Sequence, residues 1–317
     1  MVSILLPSYN HAEFLEQCLN GVIEQSFQEW ELIAVDDCSS DRSVEVLQEQ
    51  EDPRIQVHVN PRNLGTYGAL DRALSLAKGE YVAVLNSDDW WLKDKLRLQL
   101  ELLEANPDLP FAYTSGRPVP GGAAQQPEHW PKDSIQELLP FLLAENHVLA
   151  SSVLFRRSSA SFRPELRYSG DWTALLGPSR DGAVGFIDNP LTMWRQHDRN
   201  TYRRSPGQVD EEIRLREGIL AAEAYWRVPR LPSSAINHGL SECACHLSAL
   251  YVLQGRMPEA RKAARMGLRF HPSKRTLRRL SIVSLSGVSA RKSLWAGERV
   301  DRPNESGSPV SLPGPAK

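Results

Sequence analysis

The chain has 317 residues, 41% hydrophobic and 24% charged, with a formal net charge of -2. That length predicts about two domains, and the composition is that of a soluble globular protein. A near-neutral balance does not suggest general nucleic-acid binding, and no apolar run approaches the ~20 residues that span a bilayer.

The four cysteines, Cys18, Cys38, Cys243 and Cys245, form no CxxC pair and no zinc spacing, which fits a reducing, cytoplasmic compartment. Met1 leads straight into a strand with no basic n-region and apolar h-region, so no signal peptide is expected.

Residues 2–6 read as a short buried strand stopped by Pro7, and Ser8-Tyr9-Asn10 as a loop. Phe14, Leu15, Cys18, Leu19, Val22 and Ile23 recur at helical spacing, which predicts an amphipathic helix over 11–25. A second buried strand, 31–35, ends in Asp36-Asp37-Cys38-Ser39-Ser40-Asp41, and a helix follows over 42–50. Residues 55–59 alternate as a third strand, Asn63-Leu64-Gly65 opens a loop, and 69–77 is helical. The β-branched run 81–85 is a fourth strand, ending in Asn86-Ser87-Asp88-Asp89-Trp90-Trp91. This alternation predicts an α/β fold, a mostly parallel sheet with helices on both faces.

Two strand tips in such a sheet share one edge, where ligands bind. Both end in paired carboxylates, Asp36-Asp37 and Asp88-Asp89. Adjacent like charges call for a cation, and Mg or Mn would leave positions open for phosphate oxygens. Helix capping by Asp88 is the plainer alternative. There is no GxGxxG after the first strand and no GxxxxGK[ST], so a dehydrogenase-type dinucleotide site and a P-loop are disfavoured. A nucleotidyltransferase is also disfavoured, because Pro7-Ser8-Tyr9-Asn10 is not a glycine- and basic-rich phosphate loop.

The order of Pro7-Ser8-Tyr9-Asn10, Asp36-Asp37, Asn63-Leu64-Gly65, Lys78-Gly79-Glu80-Tyr81 and Asn86-Ser87-Asp88-Asp89 resembles glycosyltransferase family 2, with the GT-A fold. The resemblance covers roughly the first two-thirds of the chain. It implies a metal-dependent, inverting transfer of a sugar from a nucleotide-diphosphate donor, UDP-sugar first, to the hydroxyl of a saccharide or lipid-linked acceptor. Pro7, Tyr9 and Asn10 would hold the base, Asp37 would accept from it, and Asn63 and Gly65 would line the donor loop. Asp88 would face the ribose, Asp89 would ligate Mn or Mg directly, and His197 would be a metal or diphosphate ligand. Arg195, in Trp194-Arg195-Gln196-His197, would neutralise the leaving group. Asp171, in Tyr168-Ser169-Gly170-Asp171-Trp172, would be the base; capping of the following helix is its alternative.

Three positions depart from the family pattern. Asn86 stands where the first acid of DxDD is usual, and Ala69-Leu70-Asp71 where Ala-Arg-Asn is usual, with Arg72 the neighbouring cation. Gly170 stands where an acid commonly precedes the base. Asn86 still leaves the two final carboxylates, but the other two departures keep open a non-catalytic, nucleotide-sugar-binding or scaffold protein.

Further along, 92–104 is amphipathic, 111–114 a strand, 116–130 a Pro/Gly-rich loop, 135–144 a helix and 150–157 and 183–187 strands. Arg199, Tyr202, Arg203 and Arg204 form a basic run that could close over phosphates or be a solvated face. Helices are expected over 209–225, 235–254 and 259–270, the last two resembling one tetratricopeptide-type hairpin. Every charged residue from Arg261 to Lys292 is basic. That region could contact an anionic membrane surface or be a solvated helical face. The expected division is 1–205 for the transferase domain, 206–290 for a helical region and 291–317 for a disordered tail. Oligomeric state is not readable.

Overall fold

The computed structural model describes residues 1–120, 134–198, 200 and 205–284. The expected tail, the run Arg199, Tyr202, Arg203 and Arg204, and most of the 116–130 loop lie outside the described residues.

The chain forms two compact units, 1–243 and 244–317. Unit one opens with β1 (Val2–Ser8), α1 (Ala12–Ile23), β2 (Trp30–Asp36), α2 (Ser43–Gln48), β3 (Ile55–Val59), α3 (Thr66–Leu76) and β4 (Tyr81–Val84). It continues with β5 (Trp90–Trp91), α4 (Lys95–Ala105), β6 (Phe111–Val119), β7 (Ile135–Gln136) and α5 (Leu139–Ala144). Then come β8 (Val153–Arg156), α6 (Gly170–Asp181), β9 (Val184–Arg195) and α7 (Pro206–Ala221). Helix α8 (Ser233–Leu253) runs through the division. Unit two holds its end, α9 (Met257–Phe270) and α10 (Lys274–Ser284).

The sheet order is β3-β2-β1-β4-β8-β6-β9-β5, with β7 on β9. Strands β1 to β4 pair in parallel, as the alternation requires. Beyond β4 the sheet is mixed: β8 is antiparallel to β4 and β6, while β6 and β9 are parallel. Period-2 alternation splits the buried strands between two layers. Val2, Ile4, Leu6, Leu32, Ala34, Ala83 and Leu85 share one core with Leu15, Leu19 and Val22 of α1 and Leu96, Leu100 and Leu103 of α4. Helix α3 packs on β1 and β2 with Ala69, Leu70 and Ala73 buried.

Several elements differ from expectation. Residues 135–136 are a strand before α5, and β6 extends to Val119 because β9 pairs with it along its length. Residues 184–195 are one strand with a register shift near Pro190. The division also does not fall at residue 205. Glu211 of α7 is buried and accepts the backbone N–H groups of Arg167, Tyr168 and Ser169 at 2.7–2.8 Å, which ties α7 to the start of α6.

Candidate active site

The parallel strands end together, and their loops are cross-linked. Asn10, just past β1, has φ 54, a left-handed conformation that Asn tolerates better than most residues. Its Oδ1 accepts from the N–H of Ser40 at 2.8 Å, and its own N–H donates to Ser39 Oγ at 2.9 Å. Asp36 caps the same turn by accepting from Ser39 N–H and Oγ. Asp37, 3% exposed, accepts from Asn60 Nδ2, Leu64 N–H and Gly65 N–H at 2.7–2.8 Å. Asn63 Nδ2 donates to the Asp37 carbonyl at 3.3 Å. Gly65 precedes α3 with φ 82, where a Cβ would be strained.

The structure therefore brings Asn10, Asp37, Asn63 and Gly65 into one hydrogen-bonded edge. Pro7 is buried within β1, and the Tyr9 ring is 47% exposed beside that edge. Asp37 already accepts three donors, so holding the Asn63–Gly65 loop is part of its role. Arg72 does not reach that loop: its Nη1 donates to the Val59 carbonyl and to Asn60 Oδ1. The cation at the turn is Arg167, whose Nη1 would lie 3.2 Å from a Cβ on Gly65. It lies about a hundred residues away in sequence and carries no local signal.

At the tip of β4 the two carboxylates diverge. Asp89 is 3% exposed; its Oδ2 accepts from Ser151 Oγ at 2.5 Å and its Oδ1 from the Arg195 N–H at 3.1 Å. Burial, with the neighbouring Asp88 charge, pushes its pKa well above the usual carboxylate range. Asp88 instead meets His197, Oδ2 to Nε2, at 3.1 Å. His11, Asp88 and His197 offer ligand atoms that all lie within 4.8 Å of one another. Asp88 is the carboxylate of this set, whereas Asp89, the residue expected to ligate a metal directly, accepts from Ser151 Oγ and the Arg195 N–H.

His11 is the residue that the sequence reading missed. It sits between Asn10 and α1, its N–H donates to Ser43 Oγ at 3.0 Å and its Nδ1 lies 2.8 Å from Ser87 Oγ. The His197 ring packs on Phe14 (centroids 4.7 Å) and edge-on to His11 (5.6 Å). Arg195 is held by the Asp88 carbonyl at 3.0 Å from Nε and by Gln17 Oε1 at 2.5 Å from Nη2. Its guanidinium lies 4.8 Å from the Phe14 and Trp90 ring centres.

Asp171 lies in the first turn of α6. Its Oδ1 accepts from the Trp172 N–H at 2.8 Å and from Tyr67 Oη at 3.2 Å, and its Oδ2 from Asn146 Nδ2 at 3.2 Å. Burial raises its pKa and these donors oppose the rise. A carboxyl shifted upward but still hydrogen-bonded as an anion has the properties of a general base.

Comparison with known proteins bears on this arrangement. A model of the family "Glycosyl transferase family 2" matches residues 3–127. That segment contains His11, Asp37, Asn63, Gly65, Asp88 and Asp89. TuaG of Bacillus subtilis (strain 168), a glycosyltransferase assigned to teichuronic acid biosynthesis, is 46% identical over 105 residues, 32% of this chain and 42% of TuaG. WfgD of Escherichia coli, a UDP-Glc:alpha-D-GlcNAc-diphosphoundecaprenol beta-1,3-glucosyltransferase, is 36% identical over 113 residues, 36% of this chain and 44% of WfgD. The chain thus spans less than half the length of either relative. The crystal structure of S. aureus TarS 1-349 in complex with UDP superposes with a TM-score of 0.68 at 16% identity, covering 94% of this chain and 92% of that one. That likeness shows a shared fold, in keeping with the GT-A fold that the family resemblance implies.

Proposed function

We propose, on the match of residues 3–127 to the model of the family "Glycosyl transferase family 2", that the protein transfers a sugar from a nucleotide-diphosphate donor to an acceptor hydroxyl. The observation that carries the reading is the convergence of His11, Asp88 and His197 beside the Asn10–Asp37–Gly65 edge. The donor set fits a divalent cation. An Asp88–His197 separation of 3.1 Å is about that of neighbouring ligands on one ion. Imidazole nitrogens favour Mn over Mg, which prefers all-oxygen shells. A cation held there would neutralise charge on a diphosphate leaving group.

The chain's own groups divide the remaining work. The Tyr9 ring offers a stacking face for the base, and Arg195 and Arg167 supply positive charge near the edge. Asp171 takes the proton from the acceptor hydroxyl. One base and, among the described residues, no second carboxylate placed as a nucleophile support a single displacement with inversion. The name of WfgD supports a UDP-sugar donor and a lipid-linked acceptor, and TuaG supports envelope polysaccharide synthesis. No helix among the described residues is long and apolar enough to cross a membrane. A cytoplasmic enzyme touching the membrane through its basic α9 and α10 helices is consistent with that.

The test is a thermal-shift series with UDP-, GDP- and dTDP-sugars, with and without Mn, followed by assay of donor hydrolysis. Mn-dependent stabilisation by a UDP-sugar and its slow hydrolysis are expected. No shift with any of these donors would overturn the reading.

A further inference from the structure

Gly170 and Tyr67 fit together in a way that neither local sequence announces. A Cβ on Gly170 would lie 2.3 Å from Tyr67 Cγ and 2.5 Å from both Cδ atoms. The α6 backbone therefore lies flat on the phenol ring, in the space that any side chain at 170 would fill. The ring is buried, near the start of α3, and its Oη lies 3.2 Å from both the Tyr168 carbonyl and Asp171 Oδ1.

We propose that Tyr67 is the positioning residue for Asp171, and that glycine at 170 is required because it admits the ring that carries the phenol donor. The proposal rests on Asp171 being the base. Where an acid would otherwise stand beside Asp171, this chain supplies a neutral donor from another helix.

Neutral donors hydrogen-bond the Asp171 carboxylate: Tyr67 from α3, Asn146 from the segment after α5, and the Trp172 N–H of its own helix. With no cation among them, the carboxylate form depends on these hydrogen bonds. Glu211 of α7, which accepts the N–H groups of Arg167, Tyr168 and Ser169, also acts on Tyr67. Tyr67 remains protonated, because burial and the Asp171 and Glu211 charges push its pKa up. It is therefore a donor throughout the working pH range. Tyr67→Phe keeps the ring and deletes one of the side-chain donors to Asp171.

The experiment uses the full chain with 13C-carboxyl aspartate, the Asp171 signal being identified by its loss in Asp171→Asn. In Tyr67→Phe the Asp171 midpoint should rise by about one pH unit, the scale of one charge-assisted hydrogen bond. With UDP-glucose and Mn, the acid limb of hydrolysis should move by the same amount, with kcat lowered and donor KM kept. Thermal melts add a reading that needs no activity. Gly170→Ala should lower Tm strongly in the native background and little in Tyr67→Ala, where the ring is gone. An unmoved Asp171 midpoint, or an equal cost of Gly170→Ala in both backgrounds, overturns the proposal. No turnover, with the midpoint still shifted, would overturn the transferase reading while leaving the Tyr67–Asp171 coupling standing.

Discussion

Ser151 Oγ donates to Asp89 Oδ2 at 2.5 Å, and this contact separates the roles of two adjacent carboxylates. Asp89 joins β4 to the turn before β8 and, through the Arg195 N–H, to the end of β9. Asp88 points to His197. The two acids of one strand tip thus meet different partners, Asp89 the Ser151 and Arg195 donors and Asp88 the His197 ring.

Truncating them should give opposite results. Asp89→Ala removes the acceptor of the Ser151 O–H, whose oxygen still accepts from the Asn86 N–H, and of the Arg195 N–H, and should cost about 2–3 kcal/mol of metal-free stability. Asp88→Ala should change metal-free stability little and abolish the stabilisation that Mn gives the native chain. Chemical denaturation and melts with and without Mn measure both. Loss of the Mn effect in Asp89→Ala at unchanged metal-free stability would reverse the assignment.

Asp171 should trade stability for function. Its folded pKa is raised by burial, so the protonated form is favoured by the fold. For a raised pKa the stability contribution is fully present below the unfolded value and is lost as pH rises through the folded one. Asp171→Asn removes that loss. The variant should melt higher than the native chain at pH 7, with the difference shrinking toward pH 4, and should have no transferase activity. A lower Tm at every pH would contradict the sign.

Much of this was readable from local pattern. The strands β1 to β4 and their helices follow from periodicity and turn residues within one α/β half, while Asn10, Asp37 and Asn63 were singled out by the family resemblance. What was not readable depends on distant pairing. Trp90–Trp91 is a strand only because Thr192 and Met193 lie opposite. Which of Asp88 and Asp89 faces outward is decided by Ser151 and Arg195, 62 and 106 residues away. His11 had a weak signal, a metal-ligating side chain directly after the first strand's loop. Gly170 looked like a missing acid until the Tyr67 ring was seen to occupy its space.

The cysteines should split by exposure. Cys18, Cys243 and Cys245 are buried and Cys38 is exposed. Burial pushes the Cys243 thiol up to about 11 and raises Cys18 well above its usual value. Since the thiolate is the reactive form, a native-state titration with a disulfide reagent at pH 8 should show one fast thiol, lost in Cys38→Ser. The other three should react only on unfolding. The same shift predicts that the Cys243 contribution to stability, intact below pH 9, is lost between pH 9 and about 11. Cys243→Ala should flatten that alkaline slope.

The charge of the second unit is a separate question from the site. Between 244 and 284 there are nine basic residues and one acidic, Glu259. Lys262, Arg265 and Arg269 are exposed at helical spacing on α9, while Ala260, Ala263, Ala264, Gly267 and Phe270 are buried. On α10, Lys274, Arg275 and Arg278 are exposed around Leu277, itself 56% exposed. Basic side chains next to an exposed leucine suit an anionic lipid surface, where each charge contributes about 1 kcal/mol. The full chain should sediment with vesicles containing phosphatidylglycerol and not with pure phosphatidylcholine, and salt should weaken binding. Neutralising Lys262, Arg265 and Arg269 to Gln should weaken it by on the order of 100-fold. Leu277→Asp discriminates lipid from other polyanions: it should reduce vesicle binding more than binding to heparin. Equal loss on both, or no vesicle binding at low salt, would leave these residues as a solvated face.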